Sequence, residues 1–146
     1  MSFWNKIETE KDIEILMDNY CGFHDSCIVS VLYESGTFVD PEGAMHFSDA
    51  NGHRMRVIFQ SQIEKKKLEL LFIGLRQVHL VAWQDNYTCD IYDAHISIQK
   101  ELLPGEAKRQ VVWADYSRFD INDIDNVISE PANSYIVSNE LRWRLI

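Results

Sequence analysis

The stretch "TEKDIEILMDNYCGFHDSCIVSVLYE", residues 9–34, joins a helix pattern to a strand pattern and so decides the fold class. Thr9 is followed three residues later by Asp12, a capping-box-like pattern typical of a helix N-terminus. Gly22 stands where a helix commonly ends in a left-handed residue. We therefore expect a helix over residues 9–20. Its apolar residues recur at helical spacing and form one stripe: Ile13, Leu16, Met17 and Tyr20.

From Ser26 onward the chain has the pattern of short strands separated by turn signals. The stretch "GAMHFSDANGHRMRVIFQS", residues 43–61, alternates apolar residues on both sides of Asn51-Gly52, which predicts a hairpin. Gly74 interrupts the next alternating run and predicts a bulge or bend. The remaining strands are expected at residues 87–103 and 109–117, joined by a turn at Pro104-Gly105, and in a final hairpin at residues 134–146.

These elements predict a single domain over residues 1–146, because the chain has the usual length of one domain and shows no internal repeat or linker. The expected class is α+β, mostly β. An N-terminal helix should pack on a curved antiparallel sheet of about seven or eight strands, or on a partly closed barrel.

The net charge indicates which partners the protein attracts. The chain has 23 acidic and 14 basic residues, a formal net charge of −9. Phosphate backbones and anionic lipid surfaces repel such a chain, which argues against nucleic-acid binding and against membrane binding. A basic protein would be attracted, and the attraction would speed its association.

The cysteine content and the N-terminal sequence favour a reducing cytoplasm. Cys21, Cys27 and Cys89 are odd in number and form no CxxC pair, unlike the cysteines of a secreted disulfide framework. We expect them to be small buried hydrophobic residues. No secretory signal pattern is visible, and the longest apolar runs are too short to cross a bilayer.

The tetrapeptide Phe23-His24-Asp25-Ser26 lies between the helix and the first long strand. His24 and Asp25 could be a base with its orienting carboxylate, two metal ligands, or a contact for a partner. Adjacent residues of an extended chain point to opposite faces, however, so their convergence would need a kink. We favour a structural role, in which Phe23 anchors the turn and Asp25 or Ser26 binds nearby backbone groups.

Motifs for enzyme chemistry are not visible elsewhere in the chain. The other histidines form no HxH or HExxH pattern, and the six glycines form no GxGxxG or GxxxxGK loop. The Asp-rich run at residues 120–125 lacks the Gly and Glu of a calcium-binding EF-hand loop. We therefore predict no catalytic, cofactor-binding or metal-binding residues, and a protein that is not an enzyme.

Acidic residues cluster late in the chain, where residues 116–133 have the composition of a long loop with room for one helical turn. Only Arg118 opposes them there. Such a cluster is either a solvated loop or a contact surface for a basic partner. The candidate surface consists of Asp115, Asp120, Asp123, Asp125 and Glu130.

The stretch "GFHDSCIVSV", residues 22–31, resembles an aromatic-His-Asp-Ser/Gly-x-Ile element of small bacterial proteins of unassigned biochemistry. The stretches "LELLFIGLRQVHL" (68–80) and "NELRWRLI" (139–146) are similar to the next strand and the closing strand of those proteins. Some of them are placed among the immunity proteins of bacterial toxin systems. The resemblance implies a cytoplasmic, non-enzymatic, mostly β protein, and it assigns no catalytic residue.

The resulting hypothesis is a non-enzymatic interaction protein, of the immunity type that the resemblance implies, which binds a basic toxin or another basic protein. The alternative is a small-ligand-binding module that uses the inside of a curved sheet. Its mark would be a cavity lined by Trp83, Trp113 or other aromatic side chains. An enzyme would require His24 to meet a second polar group in a cleft.

Overall fold

The computed structural model describes residues 3–83, 85, 88–124 and 133–146. It has the predicted class, mostly β with one N-terminal α-helix in the described part of the chain. Single turns of 3-10 helix lie at Cys21–Phe23, Ala50–Gly52 and Ile121–Asp123. The regular elements, in chain order, are β1 (Asn5–Lys6), α1 (Glu10–Asn19), β2 (Ser26–Glu34), β3 (Phe38–Val39), β4 (Met45–His46), β5 (Arg54–Ser61), β6 (Leu68–His79), β7 (His95–Lys100), β8 (Arg109–Ala114) and β9 (Tyr135–Leu145).

Helix α1 begins with the predicted cap. Thr9 Oγ1 accepts the backbone N–H of Asp12 at 3.3 Å, and Asp12 Oδ2 accepts the N–H groups of Thr9 and Glu8 at 2.8 and 2.9 Å. These bonds satisfy N–H groups that the start of a helix leaves without partners. The apolar stripe faces the core, with Ile13 and Leu16 buried.

The main sheet of the described residues has seven antiparallel strands and is not closed into a barrel. Its order is β2-β5-β6-β9-β8-β7, with β1 paired to β9. Strand β9 therefore lies in the middle of the sheet, between β6 and β8, and β2 and β7 form its two ends. Strands β3 and β4 form a separate two-stranded sheet.

Apolar side chains form two cores on opposite faces of the sheet, since successive residues of a strand point to opposite sides. In β8, Val111 and Trp113 belong to the larger core beneath α1, whereas Val112 belongs to the smaller one. The larger core includes Leu16, Tyr20, Phe23, Phe59 and Leu141. The smaller core includes Leu103, Phe119, Ile124, Tyr135 and Val137.

The hairpin predicted for residues 43–61 does not form. Strand β4 pairs with β3, whereas β5 pairs with β2 and β6. The Asn51-Gly52 dipeptide lies in a 3-10 turn, where Asp49 Oδ1 accepts the N–H of Gly52 at 3.0 Å. The long neighbours β2 and β6 offer β5 many more cross-strand contacts than the two residues of β4, and these contacts override the local turn signal.

The hairpin predicted for residues 134–146 is also wrong, because Tyr135–Leu145 is one continuous strand. Gly74 does mark an irregularity: it has φ +67°, and the β6–β9 register shifts just beyond it, between Leu75 and Gln77. A Cβ added at Gly74 would lie 2.7 Å from Nδ2 of Asn139. The tight approach of the two strands therefore explains why this position is glycine.

Candidate functional site

The turn from α1 into β2 is the most contorted backbone of the described chain. Positive φ angles occur at Cys21, Gly22, Phe23 and Asp25, at +52°, +62°, +66° and +54°. Such values are costly for residues other than glycine and persist only where surrounding contacts over-determine them. The folded core must therefore hold this turn in place.

Phe23 supplies part of that constraint, because its side chain is fully buried. Its ring makes edge contacts with Tyr20 and Phe59, at centroid distances of 5.7 and 5.2 Å, and a tilted contact with Trp113 at 6.1 Å. Aromatic pairs in these geometries add to the stabilisation from burial alone. Phe23 thus anchors the turn in the larger core, the role predicted for it.

Ser26 supplies the second constraint. Its Oγ donates a hydrogen bond to the carbonyl O of Phe23 at 2.6 Å, and the residue is buried. Its own carbonyl accepts the N–H of Ile91 at 2.8 Å, which ties the turn to the segment before β7. We expected either Asp25 or Ser26 to bind a backbone group in the turn, and it is Ser26 that makes this bond.

His24 and Asp25 do converge, contrary to the expectation from an extended chain. The positive φ of Asp25 provides the kink, and His24 Nε2 lies 3.3 Å from Asp25 Oδ2. His24 Nδ1 lies 2.6 Å from the carbonyl O of Tyr92, whose ring packs edge-on against the imidazole. Both ring nitrogens thus face acceptors of the protein itself, an arrangement that fastens the turn to the segment before β7.

A pocket of about 360 Å³ lies beside the start of β2. Within it, Asp115 Oδ1 accepts the N–H of Ser134 at 3.0 Å, and Ser134 Oγ accepts the N–H of Val81 at 2.8 Å. These bonds hold its polar wall in place. Its walls are formed by Cys27, Ile28, Leu80, Val81, Thr88, Cys89, Ile91, Asp115 and Ser134.

The chemistry of this pocket is limited. Burial, with added repulsion from Asp115 and Asp90, raises the pKa of the Cys89 thiol and so disfavours the nucleophilic thiolate. Trp113 is buried in the core and Trp83 is exposed, so neither contributes the aromatic wall that a small-ligand module was predicted to have. Among the described residues, no three His, Cys, Asp or Glu side chains come together as a metal site.

The cysteines differ from expectation, because Cys21 and Cys27 are exposed and Cys89 is half-buried. Cys21 lies in the contorted turn. Cys27 follows the buried Ser26 on β2, and its side chain must therefore point to the opposite face of the strand. The hydrophobicity of Ser26 and Cys27 alone could not indicate which of these two side chains points to the core.

Hydrogen bonds to the backbone and buried side chains hold the described part of the late acidic segment, residues 115–124, in place. Asp115 is bound to the backbone of Ser134, and Asp120 Oδ1 accepts the N–H of Asn122 at 2.9 Å. Phe119 and Ile124 are buried on either side of the 3-10 turn. Asp123 is half-buried at the end of that turn. The other two members of the predicted surface, Asp125 and Glu130, lie outside the described residues.

A different surface stands out by exposure, and sequence reasoning missed it. From Val31 of β2 to the residue after β4, seven large apolar side chains are between 37% and 76% exposed. These side chains lie close together in sequence, and large exposed apolar areas mark interaction sites in soluble proteins. We call them the 31–47 surface: Val31, Leu32, Tyr33, Phe38, Val39, Met45 and Phe47.

The β3–β4 hairpin presents its part of this surface from a well-braced turn. Asp40 Oδ1 accepts the N–H groups of Glu42 and Ala44 at 3.0 and 2.9 Å, and Asp40 Oδ2 contacts His46 Nε2 at 2.7 Å. The His46 contact, followed by the backbone bonds, lowers the pKa of the Asp40 carboxyl. The Phe38 ring stacks on His46 at 4.8 Å. The exposed side chains are thus held in position before any partner arrives.

The stretch of sequence that contains this surface has acidic residues but no basic ones. Residues 12–53 contain eight Asp and Glu residues and not one Lys or Arg. This stretch therefore carries −8 of the total charge of −9, and it includes α1 from Asp12 onward, β2 and the β3–β4 hairpin. The nearest basic residues on the adjacent strand β5 are Arg54 and Arg56, opposite Glu34 and Leu32. Counting charge along the chain, rather than looking for dense clusters, would have revealed it.

Comparison of the chain with family models, curated proteins and solved structures finds no match. In the part of the chain that the structure describes, no helix has the length and apolar character needed to cross a membrane.

Proposed function

We propose that this protein acts by binding another protein, that the partner is basic, and that the 31–47 surface makes the contact. The observation that carries the proposal is the coincidence of seven exposed apolar side chains with a stretch of 42 residues that has only acidic charge. Apolar area provides affinity, and the complementary charge speeds association and selects the partner. An acidic surface of this kind disfavours nucleic acid as the partner.

The proposed role is that of an immunity protein, which acts in the cytoplasm by blocking a basic toxin. This part of the proposal is supported by the resemblance of residues 22–31, 68–80 and 139–146 to small bacterial proteins, some of them placed among immunity proteins. An acidic protein can block the basic cleft of a nuclease by taking the place of phosphate charge.

A non-enzymatic role is part of the same proposal. It is supported by the fact that both nitrogens of His24 face acceptors within the protein, and by the raised pKa of the Cys89 thiol. Neither side chain is prepared for proton transfer or nucleophilic attack.

Site-specific photo-cross-linking in the native host tests this proposal. A photoreactive phenylalanine analogue replaces Phe47, which is 76% exposed on the 31–47 surface, or Tyr92, which is 73% exposed elsewhere. We expect a discrete adduct from position 47 and none of the same mass from position 92. The cross-linked protein, purified separately, should bind the unmodified chain with an association rate that falls as salt is added.

Two outcomes would overturn the proposal. One is the absence of any adduct from position 47, and the other is an identical set of adducts from position 92. Replacing Asp120 and Asp123 by Asn in the purified pair then decides whether the late acidic segment also contributes. A slower association would support it, whereas unchanged kinetics would restrict the contact to the 31–47 surface.

A further inference from the structure

The apolar face of the main sheet continues onto β2, where it is left partly uncovered. Val31 lies opposite Val57, and Tyr33 lies opposite Met55, so each pair shares one face of the sheet. On β5, Val57 and Met55 are 0% and 3% exposed; on β2, Val31 and Tyr33 are 37% and 53% exposed. The face of the sheet that forms the larger core is therefore covered at β5 but left partly exposed at β2, the last strand.

The edge of β2 is suited to accept that missing strand. The pairing with β5 is interrupted between Ile28 and Ser30, and from Ser30 to Glu34 the register is regular. A bulge discourages further pairing at the first half of a strand edge, whereas the second half keeps a straight row of unpaired backbone groups. Natural edges usually carry Lys or Pro as protection, but Ser30–Glu34 has neither and its single charge lies at its end.

The opposite edge of the sheet is protected in the expected ways. Strand β7 has six residues, ends in Lys100, and lies against α1. Of the two edges, only that of β2 is therefore open to a further strand in the part of the chain that the structure describes.

We propose that a basic segment of the partner adds to Ser30–Glu34 of β2 as a further extended strand. This inference rests on the proposed function and states how the partner is bound. Apolar side chains of the added strand would cover Val31 and Tyr33, and the alternate basic side chains would lie on the other face, beside Glu34, the charged residue of the edge itself. Arg54 and Arg56 share that face but lie one strand further from the added strand, on β5. A second copy of this chain is disfavoured as the occupant, because it would bring two stretches of charge −8 together.

Hydrogen exchange with synthetic peptides tests the inference without the natural partner. The probe is a capped peptide of alternating Val and Lys; the controls are a Val and Glu peptide and the Val and Lys peptide with a central Pro. We expect the Val and Lys peptide, at up to millimolar concentration, to slow amide exchange at Ser30–Glu34. The Glu peptide should bind more weakly because of charge repulsion, and the Pro peptide because it lacks a donor and interrupts the added strand.

Two variants and a matched control locate the contact. Val31→Lys places a charge in the apolar part of the proposed contact, and Glu34→Lys reverses the charge at its end. We expect each to weaken peptide binding by at least about ten-fold. Ile63→Lys changes another exposed apolar residue, in the turn after β5, and should leave binding unchanged. Thermal unfolding of all three variants checks that they remain folded.

The outcomes separate this inference from the proposed function. Protection at Ser30–Glu34 that is lost in Val31→Lys supports strand addition. Absence of protection, together with a cross-linked partner at position 47, overturns strand addition and leaves the proposed function standing. Absence of both the protection and the cross-linked partner overturns strand addition and the proposed function together. Self-association through β2, shown by sedimentation of the unmodified chain and abolished by Val31→Lys, would replace the basic partner with a second copy.

Discussion

The hydroxyl of Ser26 donates to the carbonyl oxygen of Phe23 at 2.6 Å, and this bond spans the contorted turn between α1 and β2. Both residues are buried, so water does not replace the bond if it is lost. A buried carbonyl left without a donor costs more than a typical hydrogen bond contributes. The turn therefore depends on the hydroxyl of Ser26 and not only on the small size of this side chain.

Replacing Ser26 by Ala should lower the free energy of unfolding by about 1–3 kcal/mol. Urea denaturation followed by tryptophan fluorescence measures this change. The matched control is Ser30→Ala, an exposed serine on the same strand, which should change stability by no more than about 0.5 kcal/mol. Equal effects of the two substitutions would contradict the role of the Ser26 bond.

Asp12 should make the stability of the fold sensitive to acid. The backbone N–H groups of Glu8 and Thr9 lower the pKa of its carboxyl below the ordinary 3.8 in the folded state. A group with a lowered pKa in the folded state stabilises the protein above its unfolded pKa, and that contribution is lost as the pH falls through the folded pKa.

Asp12→Asn should therefore reduce the loss of stability on acidification below about pH 4. Thermal unfolding measured from pH 6 down to the acid limit of the fold checks this expectation. Asp18→Asn removes a charge from the same helix without removing the cap and is the matched control. An Asp12→Asn profile parallel to that of the unmodified chain would exclude the predicted linkage.

Gly74→Ala should destabilise the protein more than Gly43→Ala does. Both glycines have positive φ, at +67° and +88°, but a Cβ at Gly43 meets nothing within 4 Å, whereas one at Gly74 meets Asn139. The first substitution therefore adds a steric clash to the backbone strain, and we expect a further loss of about 1 kcal/mol or more. Chemical denaturation of both variants measures it.

The clash can be tested separately by shortening its partner. In the background of Asn139→Ala, the substitution Gly74→Ala should cost less than it does in the unmodified chain, because Nδ2 and the amide carbon are gone. If the cost of Gly74→Ala stays the same in both backgrounds, it comes from backbone strain and from the Cβ of residue 139, which lies 2.9 Å from the added Cβ and remains in the Ala variant.

The carboxylate of Glu69 is buried on the sheet face opposite α1, between two arginines. Arg144 Nε lies 2.6 Å from it and Arg56 Nε lies 3.1 Å from it, and the Arg56 side chain is the more exposed, at 45% against 26%. The guanidinium of Arg144 also lies 4.3 Å from the ring centre of Trp4. Arg144 should therefore contribute more to stability than Arg56.

Arg144→Met should lower the free energy of unfolding by about 2 kcal/mol, since it removes a charged hydrogen bond to a buried group and a cation–π contact. Arg56→Met should cost about 1 kcal/mol or less, because exposed ion pairs are weak. The double variant leaves the buried carboxylate uncompensated, so its cost should exceed the sum of the two single costs. An additive or smaller double effect would show that solvent reaches Glu69.

Several features of the candidate site could be predicted from local patterns. The position of Phe23, the backbone bond of Ser26 and the capping of α1 depend on residues within a few positions of one another. The convergence of His24 and Asp25 could not be predicted, because it depends on a positive φ that the packing of Phe23 and the pairing of Ser26 with Ile91 impose. The 31–47 surface was missed because alternation of apolar residues predicts a face of a strand, not whether another element covers it.

The sequence by itself determined α1, its cap, the mostly β class and the strongly acidic charge, because each depends on residue spacing or composition along the chain. Only the tertiary structure decided that β9 is central, that β4 pairs with β3, and that β2 ends the sheet. Strand neighbours are chosen by contacts between residues far apart in sequence, and similar alternating segments compete for the same partners. For the same reason, the exposed edge of β2 became visible only once every other strand had found its place.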